Sequence, residues 1–140
     1  MTRDGGERTV VFFYGLFMDE ALLREKGLKP EGRRVASVEN FRLVIGARAT
    51  LVPCEGGTVY GVVFSLMRGE VDALYSEESV RAYRAEVVSA RLSDGGVTQA
   101  LCFNLPAAPS ADESNPRYAS QLRELAGRLG LPPAYVSSIR

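Results

Sequence analysis

The apolar positions of this chain fall into two rhythms, continuous or alternating runs in the first three quarters and a helical spacing near the end. Thr9–Tyr14 is an unbroken β-branched and aromatic run, the pattern of a strand buried on both faces. Gly15 ends it. Asp19 is a candidate N-cap for a short helix over Glu20–Lys26, closed by Gly27. Val35–Ala47 alternates imperfectly and predicts one long or bent strand. Cys54–Gly57 predicts a turn, and Thr58–Leu66 a second apolar strand returning as a hairpin. Gly61, inside that strand, predicts a bulge or a close approach to the backbone. Arg68–Tyr75 predicts a short helix, with Val71 and Leu74 one turn apart. Ala82–Leu92 and Val97–Asn104 predict two strands joined at Asp94-Gly95-Gly96. Leu105–Ser114 reads as a loop. Asn115 then caps a helix with Pro116 in its first turn and Tyr118, Leu122, Leu125 and Leu129 on one face. Gly130 stops it, and Leu131-Pro132-Pro133 opens a last short helix around Tyr135.

Two strongly apolar strands need cover on both sides. An α+β fold provides it: a small, mostly antiparallel β-barrel, closed or nearly so, with short helices packed outside. Too few crossover helices are present for a parallel doubly wound sheet. Residues 1–8 are expected to be a flexible tail and residues 9–140 one domain.

Composition narrows the chemistry. The 140 residues carry 17 basic and 17 acidic side chains, so net charge gives no case for nucleic acid or a membrane surface. No apolar run reaches membrane-spanning length and the first residues lack the apolar core of a signal peptide, so a cytoplasmic location is expected. The 2 cysteines, Cys54 and Cys102, are too few for a disulfide scaffold and are not spaced as metal ligands; free buried thiols and a single bridge both remain open. Histidine is absent, which removes imidazole triads and imidazole metal sites. Acid–base work then falls to Glu, Asp, Lys, Tyr or Cys.

Three places can hold chemistry. Tyr14–Met18 joins strand to helix through Gly15, which either simply turns the chain or leaves backbone N–H groups facing an anion. Glu77 and Glu78 follow a short helix; neighbours in extended chain point apart, so at most one enters a barrel mouth, and alone the pair reads as a solvated loop. Tyr135 either packs or presents its hydroxyl to a ligand.

The order of these segments carries more than any one of them. Tyr14-Gly15 with Met18, then Gly46 with Arg48–Pro53, Val59–Phe64, Glu78 with Tyr83-Arg84, and Gly130-Leu131-Pro132 with Tyr135 together resemble the γ-glutamylcyclotransferase-like (AIG2-like) superfamily from Thr9 onward. The resemblance implies a mixed barrel with a pocket at one end. It places Glu78 as the catalytic acid, Tyr14, Gly15, Leu16 and Phe17 in the substrate loop, and Tyr83 and Tyr135 as aromatic neighbours of the substrate. The chain departs from the family pattern at Leu16, where a Ser is usual, at Tyr75, where an Asp is usual, and at Ser79, where a Gly is usual.

The implied activity is a cofactor-independent, metal-free cyclisation of a γ-glutamyl amide to 5-oxoproline with release of the amine. The implied partner is a small molecule bearing a carboxylate or amide, bound by a monomer or homodimer without nucleic acid or membrane. Two alternatives stand beside it: a non-catalytic binding module on the same fold, and a different amide- or carbamoyl-processing reaction.

Overall fold

The computed structural model describes residues 7–140. Five strands, β1 (Arg8–Phe13), β2 (Glu31–Ile45), β3 (Ala49–Met67), β4 (Arg84–Leu92) and β5 (Val97–Asn104), close into a barrel in the order β1-β3-β2-β4-β5. Every neighbouring pair is antiparallel except β1 and β5, which meet in parallel at Val11 and Leu101. Among the described residues four α-helices accompany the barrel: α1 (Glu20–Glu25), α2 (Arg68–Leu74), α3 (Pro116–Arg128) and α4 (Pro133–Ser138). Of the tail expected over residues 1–8, residues 1–6 lie outside the described part. Arg8 already belongs to β1, and the Glu7 carbonyl accepts a hydrogen bond from the Arg68 N–H.

Side-chain alternation sorts the core into two layers. Phe12, Val38, Val59, Val63, Val88, Ala90, Ala100 and Cys102 form one buried cluster, the filling of the barrel. The opposite parity of β1 and β3, Val11, Phe13, Val62, Phe64 and Leu66, packs outward against Leu23, Leu74, Leu122, Leu125 and Ala126 of the helices. β1 and the later part of β3 are therefore apolar on both faces, which is why their sequences run without polar interruption. Each of these large side chains contributes about 1.5–3 kcal/mol by leaving water.

Gly61 sits where strand and filling meet. A Cβ there would strike the Phe13 carbonyl and lie 2.9 Å from the Phe12 ring, so the residue marks a close approach rather than a bulge.

The β2–β3 hairpin turns at Gly46–Arg48, not at Cys54–Gly57 as the glycine pair predicts. Pairing runs Ile45↔Ala49 to Phe41↔Pro53 and resumes at Glu39↔Thr58, leaving residues 54–57 as an extra loop inside β3 opposite Asn40. Asn40 takes a left-handed φ of 69°, and its side-chain carbonyl accepts from the Gly56 N–H at 3.2 Å. That paired irregularity lets the strand absorb a turn-like segment without ending. The true turn is pinned by the loop before α3: Glu113 accepts from the Ala47 N–H at 3.1 Å, and Asn115 donates to the Ala47 carbonyl at 3.2 Å.

At one end of the barrel a buried amide on β5 ties its strand to three others. Asn104 Oδ1 accepts from the Tyr14 hydroxyl at 2.9 Å and from the Leu51 N–H at 3.2 Å, while its Nδ2 donates to Glu86 at 2.9 Å. The ends of β1 and β5 and the starts of β3 and β4 are thereby fixed around a single point.

Candidate active site

The site is built where β1 runs out. After Phe13 the chain turns through Tyr14 and Gly15 into a single 3-10 turn over Leu16–Met18, closed by Met18 N–H to Gly15 carbonyl at 3.0 Å. Asp19 then caps α1, its carboxylate accepting from the Ala21 N–H. Gly15 has φ −112°, which any residue tolerates, so it is required for space. A Cβ there would collide with the Tyr118 hydroxyl, and that hydroxyl accepts from the Leu16 N–H at 3.3 Å. Among the described residues, the N–H groups of Gly15 and Phe17 have no hydrogen-bond partner.

The facing wall is the connector between α2 and β4. Tyr75 stacks on Phe103 of β5, with ring centroids 3.8 Å apart and planes 10° from parallel, and Phe17 meets Tyr75 edge-on at 6.0 Å. At the far end of the connector the Tyr83 hydroxyl donates to the Ala49 carbonyl. Between these anchors the chain makes a tight turn, with Val80 N–H bonded to the Glu77 carbonyl at 3.0 Å.

A cavity of about 350 Å³ lies between loop and connector, a size suited to a small metabolite. Tyr14, Gly15, Leu16, Phe17 and Tyr83 all line it. The acid that lines it is Glu77, not Glu78. Glu78 is exposed, whereas Glu77 is half-buried and accepts from Lys26 Nζ at 2.8 Å. Tyr135 also falls elsewhere: it packs edge-on against Tyr60 at 5.2 Å, and it is not part of the cavity wall. Its hydroxyl is buried without a partner among the described residues. Sequence reasoning missed Lys26, Arg48, Tyr75 and Tyr118 as cavity residues. The helical spacing that marked Tyr118 as a packing residue was the available signal, because a helix face covering a barrel end also covers its mouth.

The cavity's phenols stay protonated. Burial pushes Tyr83 up to about 12, and burial likewise raises Tyr14, Tyr75 and Tyr118. In that form none of the four is a base near neutral pH. Glu77 is the one carboxylate among the described residues lining the cavity. Cys102 is inside the barrel, pushed up to about 12 by burial and then by the charge of Glu86, and both cysteines are free. Among the described residues no group of His, Cys, Asp and Glu is arranged to hold a metal ion, and no helix is long and apolar enough to cross a membrane.

Fold and cavity define a small closed barrel with a molecule-sized pocket that, among the described residues, holds one acid. The chain matches the model of the gamma-glutamyl cyclotransferase, AIG2-like family over residues 11–122, and it belongs to that family. Among solved structures, it is similar to a gamma-glutamyl cyclotransferase with TM-score 0.80 and 20% identity, covering 96% of this chain and 89% of that one. An uncharacterized protein from Homo sapiens aligns with TM-score 0.78 and 22% identity, over 96% of this chain and 89% of that one. YkqA from Bacillus subtilis aligns with TM-score 0.75 and 23% identity, over 94% of this chain and 52% of that one. At these identities the likeness establishes the shared fold. No curated protein matches the chain.

Proposed function

We propose that this protein cyclises a γ-glutamyl amide to 5-oxoproline and releases the amine, with Glu77 as the general acid–base. The observation that carries the reading is that Glu77 is, among the described residues, the only carboxylate lining the cavity that Gly15, Leu16 and Phe17 also line. The substrate's own α-amine is the nucleophile, so the reaction needs correct folding of one molecule rather than an activated side chain. Holding the amine against the γ-carbonyl can supply several kcal/mol of the barrier, about 7–11 at best. The amine enters as an ammonium and becomes nucleophilic when Glu77 takes its proton. The new N–C bond forms as the γ-amide C–N bond breaks, Glu77 returns its proton to the departing nitrogen, and the second proton shed by the cyclising nitrogen passes to the released amine, which leaves as an ammonium. The unpartnered N–H groups of Gly15 and Phe17 are the donors for the oxyanion that develops on the γ-carbonyl. Backbone donors do this work regardless of side chain, which is how Leu16 and Phe17 are compatible with the role.

One observation favours binding without turnover: Glu77 already holds the ammonium of Lys26 at 2.8 Å, as it would hold a ligand's. Incubation with a panel of γ-glutamyl amides separates the readings. Release of 5-oxoproline with the free amine supports cyclisation. Thermal stabilisation without product supports a binding module, and ammonia without 5-oxoproline supports a different amide or carbamoyl reaction.

A further inference from the structure

Among the described residues two cations line the cavity, and they are not equivalent. Lys26 is neutralised by Glu77, but Arg48 has no carboxylate within salt-bridge distance among the described residues. Its guanidinium lies 6.0 Å over the Tyr83 ring, and its one hydrogen bond among the described residues is a long 3.5 Å contact from Nη1 to the Ser79 carbonyl. An arginine brings a rigid fork of donors that matches a carboxylate in two parallel hydrogen bonds, and here most of the fork is unused. Arg48 is an exposed residue, but the backbone that carries it is held in place. Arg48 closes the Gly46–Arg48 turn, which Glu113 and Asn115 hold from outside, and Ala49, the next residue, receives the Tyr83 hydroxyl.

We propose that Arg48 is the specificity residue for the substrate's α-carboxylate, and that the site therefore selects γ-glutamyl compounds whose α-carboxylate is free. This rests on reading the cavity as a γ-glutamyl site. Arg48 reaches Ser79, two positions beyond Glu77 on the same tight connector. In a γ-glutamyl group the α-amine and α-carboxylate share one carbon. A carboxylate seated on Arg48 thus brings the ammonium to the stretch of chain that bears the base, and leaves the γ-carbonyl free to turn toward the Gly15–Phe17 loop. The remaining wall, with Leu16, Phe17, Tyr75 and Val80, is apolar and suits the departing amine's side chain.

The test compares binding of 5-oxoproline with its neutral carboxamide, in wild type, Arg48→Met and Arg48→Lys, alongside turnover of a γ-glutamyl amide by wild type. The expected result is that wild type prefers the acid by about ten- to a hundredfold, the gain of a charge-assisted pair. Arg48→Met abolishes the preference while binding the carboxamide as wild type does, and Arg48→Lys retains part of it. Equal affinity of wild type for acid and carboxamide overturns the proposal, as does an undiminished preference in Arg48→Met. A parallel loss of both ligands in Arg48→Met assigns the residue a structural role and also overturns it. Turnover without carboxylate preference removes the role of Arg48 alone; preference without turnover removes the cyclisation alone.

Discussion

The Tyr118 hydroxyl occupies the space that a side chain on Gly15 would need, and from there it receives the Leu16 N–H. Two segments far apart in sequence thereby shape one loop, and the tie is steric as well as polar. Gly15→Ala is expected to cost about 1–3 kcal/mol by overpacking. The next Tyr118 atom, Cζ, would lie 3.8 Å from the added methyl carbon, an ordinary contact, so only the hydroxyl is in the way. Tyr118→Phe in the same chain is expected to return a measurable part of that loss, with a coupling of about 1 kcal/mol in a double-mutant cycle read by denaturant midpoints. Additive effects would mean that the two residues do not meet.

Asn104 gives a second stability test. Asn104→Leu keeps the volume but leaves the Leu51 N–H without its side-chain acceptor, while Tyr14 retains the Phe103 carbonyl at 2.7 Å. The expected loss is about 1–3 kcal/mol in urea unfolding. Glu86→Gln, which can still accept from Asn104 at the barrel surface, is expected to stay within about 0.5 kcal/mol of wild type.

Alkaline pH should loosen the fold. Cys102 and Tyr83 hold their protons to about 12 when folded, against 9.0 and 10.0 for the free groups. Above pH 9 the unfolded chain has lost protons that the folded chain keeps, so the unfolded state binds fewer and stability falls as pH rises. The stability is fully present below pH 9 and is lost across the window from there to about 12. Urea midpoints measured through that range should decline, and less steeply in Cys102→Ala. Near pH 8 a thiol reagent should label the half-buried Cys54 and spare the buried Cys102 until urea is added. Equal labelling of both in the native state would contradict the barrel interior assigned to Cys102.

Much of the fold was legible because local chemistry and tertiary demand agreed. Asn115 caps α3 and Pro116 starts it as their residue types require, and β5 spans the residues that its run and the preceding glycine turn predict. The hairpin was misread because a glycine pair is a strong turn signal. Asn40 accepts the left-handed conformation across the ladder and lets residues 54–57 loop out while the strand continues.

The acid that lines the cavity was legible to within a residue. Alternation stated that at most one of Glu77 and Glu78 faces inward, but not which one, because the connector is a tight turn whose parity is set by the Tyr75–Phe103 stack and by Tyr83 on Ala49. Tyr135 was misplaced because a tyrosine after a helix stop looks the same in sequence whether it meets a ligand or another ring. Lys26 stands near no local signal, and Arg48 was read only as part of the ordered segment Gly46–Pro53; closure of the barrel brings both to the cavity.

The most direct measurement is the rate of 5-oxoproline release from a γ-glutamyl amide by wild type, Glu77→Gln and Glu78→Gln at one pH. Loss of the proton acceptor should slow Glu77→Gln by about 10²–10⁴-fold, with Glu78→Gln close to wild type. Full activity in Glu77→Gln, or a collapse confined to Glu78→Gln, would contradict the account.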